Sequence, residues 1–534
     1  ETCIIGAPTG KAALNVNGHT IENLFNFPFL SLRGDKISDP AVQKYYQDRF
    51  SHVQLLILDE VSMMGLKKLH KIHQILCCAK QTSDNASCRT TDFQSQCTYT
   101  EMQAEHSPLG GMHFLFCGDF YQLDPVKDMV LYSKDIQANT KEEIASEMVY
   151  MKIDTYKELK QQMRQRGNNA EEDKFRSFLS NIRKGKASLE DLDYLKHSNK
   201  YCTSLDDPAL RNLPNDETLT VTPFNGAQNS YGCEQINAYK LEQRKRNACK
   251  NIHIWARHTF TSTYNKKKKL QPNTARNLIA LQHESNCDKL TSKLILSKGT
   301  RVMLRHNLSV TDGLVNGSLG TVHSIIWPKS LKNKIRIDVT SIEEAAEKNQ
   351  PPPIVLVKFD NLPPHVESFL PDEPHVIPIP PQKQKIRCET GLSVTRHMTP
   401  LIQADCVTIH KSQGQSVKNL VCVLNRMPRS RGLFYVAASR ATSSKGLFLV
   451  KSSCMHPPLL ELKDFNGSKP DTYNAIHEEY LRLSMKPGDN LSRIISEVVA
   501  ANKNYLVDNL YNIRTYTSDD EGEEFMQSCD EDST

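Results

Sequence analysis

Three short apolar runs near the start of the chain constrain its fold more than any other feature: Cys3-Ile4-Ile5, Gln54 to Leu58, and His113 to Cys117. Each is the length of a buried strand and each runs into Gly, Pro and polar residues. Strands that are apolar on both faces belong to parallel sheets covered by helices, and the loops at their carboxyl ends are where such sheets hold ligands. The sequence therefore predicts an α/β unit over the first 150 residues or so. The polar stretch Ser83 to Pro108 reads as a surface insertion between its strands.

With 534 residues, the chain exceeds one hydrophobic core and is expected to hold several domains. Phe175, Phe178, Leu179 and Ile182, at three- and four-residue spacings, predict a helix within 148–195. Leu219-Thr220-Val221 then predicts a strand of a second α/β unit. From Gly299 to about Arg387 the pattern changes to short β-like runs, Arg301 to Leu304, Gly320 to Ile326 and Ile354 to Phe359, which favours a small β-rich insertion. Its prolines, among them Pro351 to Pro353 and Pro378, read as turns and strand edges, with a docking motif for a Pro-binding domain as the alternative.

No apolar run approaches the roughly 20 residues of a membrane-spanning helix. Fifteen cysteines without a C-x-x-C pair indicate neither a disulfide framework nor a zinc ribbon, and a reducing compartment is the simplest reading. Residues 515–534 carry eight acidic groups and no Lys or Arg, and lack the apolar content to fold. Without that tail the net charge rises from +6 to +14, which suits a polyanionic partner.

The residues that carry chemistry sit where the strands end. Leu55-Leu56-Ile57-Leu58-Asp59-Glu60 is a buried run closing on two adjacent carboxylates. In a nucleotide hydrolase the first holds Mg2+ and the second polarises the attacking water; the plain alternative is an exposed acidic pair at a strand end. Gln122, in Gly118-Asp119-Phe120-Tyr121-Gln122-Leu123, is placed to bond a γ-phosphate or a water beside such a metal. Thr408-Ile409-His410-Lys411-Ser412-Gln413-Gly414 offers donors around a glycine for a phosphate chain. Tyr435 to Arg440 sets an arginine on small residues, the device by which a second domain reaches a γ-phosphate.

In this order the motifs resemble those of the Pif-type (petite integration frequency) branch of superfamily 1 DNA helicases, relatives of the RecD motor. The resemblance runs from Ala7 to about Val450. Ala7-Pro8-Thr9-Gly10-Lys11 with Gly18-His19-Thr20-Ile21 resembles motif Ia, Asp59 to Met63 motif II, and Gly118 to Leu123 motif III. Met163-Arg164-Gln165 resembles the motif IV arginine region, and Gly313-Leu314-Val315-Asn316-Gly317 a signature leading into an SH3-like insertion. His410 to Gly414 and Tyr435 to Arg440 resemble motifs V and VI.

The resemblance implies an α/β fold of two tandem RecA-like P-loop NTPase domains with a small β-rich SH3-like insertion. It divides the chain into a first domain over 1–147, a second over 148–317 and 395–460, the insertion over 318–394, a C-terminal extension over 461–514 and a disordered acidic tail. ATP and Mg2+ are the implied cofactors. Asp59 would hold Mg2+, Glu60 act as base, Gln122 sense the γ-phosphate, and Arg164 and Arg440 complete a site that also includes Gly414. Pro8, Thr9, Lys11, Thr20, Asn316, Thr408, His410 and Ser412 would lie along the DNA. The implied activity is 5′ to 3′ translocation on single-stranded DNA with unwinding of duplexes and forks, in genome maintenance, by a monomer inside the cell. The nucleus is the expected place, with the mitochondrion as alternative, and the acidic tail is a candidate contact for a protein partner.

Two departures stand out. A phosphate loop reads G-x-x-x-x-G-K followed by Ser or Thr, and Gly6 to Ala12 fails this twice: its glycines are one residue too close, and Ala12 replaces the hydroxyl. The true loop is expected ahead of Glu1, which makes this chain a fragment expected to hydrolyse ATP very poorly. Asp124 stands where the family often has Pro. The rival reading is a non-catalytic DNA-binding remnant of a transposon-type helicase. His70, His73 and Cys77 share a helical face, for which packing is the plainer reading than a metal.

Overall fold

The computed structural model describes residues 2–27, 39–80, 108–133, 140–197, 201–202, 204–226, 232–260, 276–277, 279, 289–327, 339–387, 393–424, 431–450 and 470–486. The insertion at 83–108, apart from Pro108, and the acidic tail lie outside them.

The first three apolar runs form one parallel sheet. Strands β1 (Cys3–Ala7), β2 (His19–Thr20), β3 (Leu55–Leu58) and β4 (His113–Phe116) lie in the order β2-β1-β3-β4. Helices Pro40–Phe50, Leu66–Lys80 and Lys141–Met151 cover it, burying Phe50, Leu69, Ile72, Ile75 and Tyr150 with Leu56 and Leu58. Local chemistry starts these helices: Asp39 caps the first ahead of Pro40, and Thr140 with Glu143 forms a capping box on the third.

A second parallel sheet is assembled from distant parts of the chain. Its strands are β5 (Tyr201–Cys202), β6 (Thr218–Thr222), β17 (Cys406–Thr408), β18 (Asn419–Val423) and β19 (Leu447–Val450), in the order β17-β6-β18-β19-β5. The predicted helix is Ala170–Arg183, capped by Asn169 and acidic in its first turn, and its predicted apolar face is buried against Phe434 and Leu433 of helix Leu433–Ala438.

Between these strands the chain leaves to build β structure. Strands β7 (Ile252–Trp255) and β9 (Lys293–Leu296) pair with each other, and β8 (Arg257–Phe260), β14 (Gln382–Arg387) and β15 (Ser393–Met398) form a three-stranded antiparallel sheet. Strands β10 (Arg301–Leu304), β11 (Leu319–Ile326), β12 (Ile354–Phe359), β13 (Val376–Ile379) and β16 (Leu401–Gln403) form a five-stranded antiparallel sheet in the order β13-β12-β11-β10-β16. This sheet extends beyond 318–394 on both sides, through β10 and β16. Pro378 sits on its edge strand, where a missing amide hydrogen is tolerated.

The helix Pro470–Ser484 returns from the second sheet to the first core. It buries Tyr473, Ile476 and Leu483 there.

Candidate nucleotide site between two parallel sheets

Asp59 and Glu60 follow directly on β3. The Asp59 amide donates to Gly6 O at 2.9 Å and the Val61 amide to Cys117 O at 2.9 Å, which ties the pair to the ends of β1 and β4. Glu60 takes a left-handed backbone conformation, φ 50° and ψ 44°, a strained choice for a non-glycine residue of the kind that collects at functional sites. Gly118 packs so closely behind it that a Cβ there would lie 2.8 Å from the Val61 nitrogen. Burial pushes the Asp59 carboxyl above its ordinary range. Burial does the same to Glu60, and a hydrogen bond from Gln413 pulls it back.

That bond crosses between the two sheets. Gln413 Nε2 donates to Glu60 Oε2 at 3.0 Å and to Gln122 Oε1 at 3.3 Å, so one amide of the second core holds both the second carboxylate and the glutamine of the first. Two guanidiniums stand behind it. Arg440 is 2% exposed and donates to Val436 O, Gln415 O and Ser439 Oγ, while Arg164 donates to Ser416 Oγ at 2.7 Å and Ser439 O at 3.1 Å. Burial, with the neighbouring Arg164, lowers the Arg440 pKa to about 10, and Glu60 opposes the shift. Asp59, Glu60, Gln122, Arg164 and Arg440 thus gather in one place, with Gly414 at its margin.

The donor set fits a metal-bound triphosphate: two carboxylates for the metal side, two guanidiniums and two amides for the phosphate side. Gln413 Oε1 is buried there without a hydrogen-bond partner, a polar atom left for a bound group to satisfy. No stretch of the 534 residues matches a phosphate loop.

Around this junction, residues 119–124 are gripped from several sides. Arg183 donates to both Asp119 oxygens, at 2.7 and 2.8 Å, and lies over the Tyr121 ring at 4.6 Å. Arg431 donates to Phe120 O at 2.9 Å and pairs with Asp124, so the departure at position 124 has an ion-pair partner on the second core. Tyr480, from the C-terminal helix, donates to Asp119 Oδ1 at 3.1 Å and accepts the Phe120 amide at 3.0 Å.

The residues expected along DNA divide into two groups. Lys11 and Asn316 converge, with Gly414 of the expected nucleotide site beside them: a Cβ on Gly10 would lie 2.7 Å from Asn316 O, Gly317 lies against the Lys11 side chain, and Asn15 Nδ2 donates to Gly414 O at 2.9 Å. His410 is exposed, and Pro8 and Thr408 are half-buried. The hydroxyls of Thr9 and Thr20 are engaged as helix caps, accepting the amides of Ala12 and Asn23. Ser412 does not face a surface; it is fully buried and its hydroxyl donates to Ile409 O at 2.8 Å. Away from the site, His73 Nδ1 accepts the Leu109 amide at 3.1 Å.

Two residues central to this geometry carried no role in the sequence reading. Gln413 lies inside the motif around Gly414, and its being the one side-chain amide between His410 and Gly414 is the signal that could have singled it out. Arg183 ends the helix Ala170–Arg183, where a basic residue is expected for the helix dipole alone.

Two parallel sheets joined through a carboxylate pair, a glutamine and two arginines define a protein of tandem RecA-like domains, the class that holds nucleotide between its domains. A family model described as PIF1-like helicase matches residues 1–193, and one described as the 2B domain of the DNA helicase Pif1 matches residues 287–325. These matches cover less than half of the chain, and over them it is similar to PIF1-like helicases. It is 25% identical over 332 residues to the ATP-dependent DNA helicase PIF1 of Saccharomyces cerevisiae, covering 62% of this chain and 31% of that protein. To the ATP-dependent DNA helicase PIF1 of Candida albicans it is 23% identical over 517 residues, covering 90% of this chain and 51% of that one. The chain thus spans about half or less of the length of these two relatives. A solved Pif1 helicase from Bacteroides, in complex with ADP-AlF3 and single-stranded DNA, has the same fold at a TM-score of 0.51 and 21% identity, covering 91% of this chain and 88% of that one.

Proposed function

We propose that the chain is the motor part of an ATP-dependent DNA helicase, working on single-stranded and forked DNA with 5′ to 3′ polarity. The observation that carries this reading is the bridge from Gln413 to Glu60 and Gln122, which ties the hydrolytic carboxylate of one core to the DNA-side motif of the other. In this reading Asp59 holds Mg2+, which supplies charge neutralisation at the phosphates when bound. Glu60 accepts the proton of the attacking water, and its burial raises the carboxyl's affinity for that proton. Gln122 and Gln413 report the phosphate to both cores, and Arg164 and Arg440 offset the charge that develops on transfer.

Lys11, Asn316, Thr408 and His410, with Pro8, Thr9 and Thr20 beside them, line the strand's path. The first lobe takes in 1–147 together with the helix Pro470–Ser484, the second takes strands β5, β6 and β17 to β19, and the β-rich module runs from β7 to β16. Support for the nucleotide and DNA comes from the Bacteroides protein, whose structure holds ADP-AlF3 and single-stranded DNA. No helix of the described residues is long and apolar enough to cross a membrane.

A second reading, a DNA-binding protein without hydrolysis, is favoured by one observation, the lack of a phosphate loop within these 534 residues. DNA-stimulated ATP hydrolysis separates the two. It is measured on the chain joined at its N-terminus to a segment bearing a G-x-x-x-x-G-K loop, beside the same protein with Glu60→Gln. Turnover that falls at least about 100-fold in the variant supports a motor with Glu60 as its base. No turnover in either, with DNA binding retained, supports the second reading.

A further inference from the structure

A cavity of about 760 Å3 opens between the amino-terminal half of β6, the helix Cys233–Arg246 and the loop entering β10. It lies at the opposite end of β6 from the nucleotide site, because that site gathers at the carboxyl ends of the parallel strands. Its size is that of pockets that hold a nucleotide-sized ligand. Six cations line it: Arg211, Lys240, Arg244, Arg246, Lys298 and Arg301.

Only two carboxylates, Asp206 and Asp405, stand among them, and both are occupied. Asp405 accepts from Arg244 Nη1 at 2.8 Å, and Asp206 accepts from Tyr239 and Gln243. Arg301 is bound to Asp360, with Nη1 donating to Oδ1 at 2.6 Å. Among the described residues, Lys240, Arg246 and Lys298 have no hydrogen-bond or ion-pair partner.

Lys240 faces this cavity from the same side of the helix as Gln243 and Arg244, at three- and four-residue spacings. Burial lowers its pKa, and Asp405, already shared with Arg244, only partly offsets that effect. A half-buried ammonium with no partner is costly to keep charged, and an anion within the cavity removes that cost. Basic residues in the last helical turn do complement the helix dipole, which accounts for Arg244 and Arg246. It does not account for Lys240, a turn and a half earlier, or for Lys298 on another element.

No aromatic side chain lines the cavity, so bases would find no ring to stack on. Recognition there rests on charge. We propose that this cavity is a second anion site, which takes the phosphate groups of a nucleic-acid strand or of a free nucleotide-sized phosphate. It stands apart from the nucleotide junction and does not depend on hydrolysis.

The 534-residue chain itself serves for the test, beside Lys240→Gln/Arg246→Gln/Lys298→Gln and the charge-preserving Lys240→Arg/Arg246→Lys/Lys298→Arg. Binding of a labelled single-stranded oligonucleotide is followed by anisotropy from 50 to 200 mM salt, and binding of tripolyphosphate by calorimetry. If strand phosphates occupy the site, the slope of log K against log salt becomes shallower by about 0.7 for each phosphate that the glutamine variant no longer neutralises. It is retained in the charge-preserving one. If the occupant is a free phosphate compound, tripolyphosphate binds the wild type and the charge-preserving variant, fails to bind the glutamine variant, and the DNA slopes coincide. Coincident slopes together with equal tripolyphosphate binding by all three proteins would overturn the proposal. Wild-type protein that binds tripolyphosphate in this way but no DNA would count against the helicase reading and leave this site standing.

Discussion

Gln413 Nε2 donates to Glu60 Oε2 across the two cores at 3.0 Å, and the same nitrogen reaches Gln122. A hydrogen bond to a charged carboxylate contributes about 1.5 to 3 kcal/mol, so removing it from a working base costs about 10- to 100-fold in rate. Gln413→Ala in the phosphate-loop-bearing protein is expected to lower kcat by that factor. The bond favours the ionised form of Glu60, so its removal raises the Glu60 pKa above the value that burial has already set. The acid limb of the kcat profile should therefore move to higher pH. A profile of unchanged position measured between pH 5 and 8 would separate Glu60 from the base.

Tyr480 anchors the C-terminal helix to the segment that leads to Gln122. Its ring stacks on Tyr121 with centroids 5.2 Å apart and planes 12° apart, while its hydroxyl accepts the Phe120 amide and donates to Asp119. Tyr480→Phe keeps the stack and leaves the amide of a buried residue without its acceptor. A destabilisation of about 1 to 3 kcal/mol is expected. Urea unfolding followed by far-UV circular dichroism measures it, and a change below 0.5 kcal/mol, taking about that as the noise of surface substitutions, would show that solvent replaces the hydroxyl.

Arg431 and Asp124 form a second ion pair between the two cores, beside that of Arg183 with Asp119. Arg431 is 7% exposed at its side chain and also donates to Phe120 O and Tyr132 Oη, so its removal strands several acceptors at once. Asp124 is about half exposed, which limits the pair's own contribution. Arg431→Ala should thus lower the melting temperature more than Asp124→Ala. A double-mutant cycle over the two should give a coupling of about 0.5 to 1 kcal/mol. Equal single effects would show that the carboxylate, and not the backbone and tyrosine contacts, dominates at Arg431.

The fold was legible where burial repeats at short range. The apolar runs ending at Asp59 and Gly118 became β3 and β4, and Arg301 to Leu304 and Ile354 to Phe359 coincide with β10 and β12. Strand β14, Gln-Lys-Gln-Lys-Ile-Arg, was not legible, because its polar alternation carries no burial signal and its pairing comes through β15 from β8, more than 120 residues earlier. The two arginines and two acids that gather at the junction were legible through their motifs. The helix Pro470–Ser484 was not assigned to the first core, although Tyr473, Ile476, Tyr480 and Leu483 follow helical spacing, because periodicity predicts that a face is buried and not against what.

The β-rich module contains a pH-sensitive element independent of the nucleotide site. Arg396 is fully buried on β15; Nη1 and Nη2 donate to Leu290 O and Ile279 O, and Nε donates to His258 Nε2 at 3.1 Å. To accept that bond Nε2 must be unprotonated, so His258 is neutral and carries its hydrogen on Nδ1. Burial, with Arg396, Arg276 and His397 nearby, lowers its pKa from 6.5 to about 3. The unfolded chain binds a proton at His258 below about pH 6.5 while the folded one does not, so stability falls as pH drops through that window. The fall is at most about 1.4 kcal/mol for each pH unit. His258→Gln offers Arg396 an amide oxygen without a titrating group, and should unfold with a flatter pH dependence between 6.5 and 4. Urea midpoints of the two proteins at pH 7.5, 6 and 5 decide it: parallel curves would assign the acid sensitivity elsewhere, and convergence at low pH would assign it to the His258–Arg396 pair.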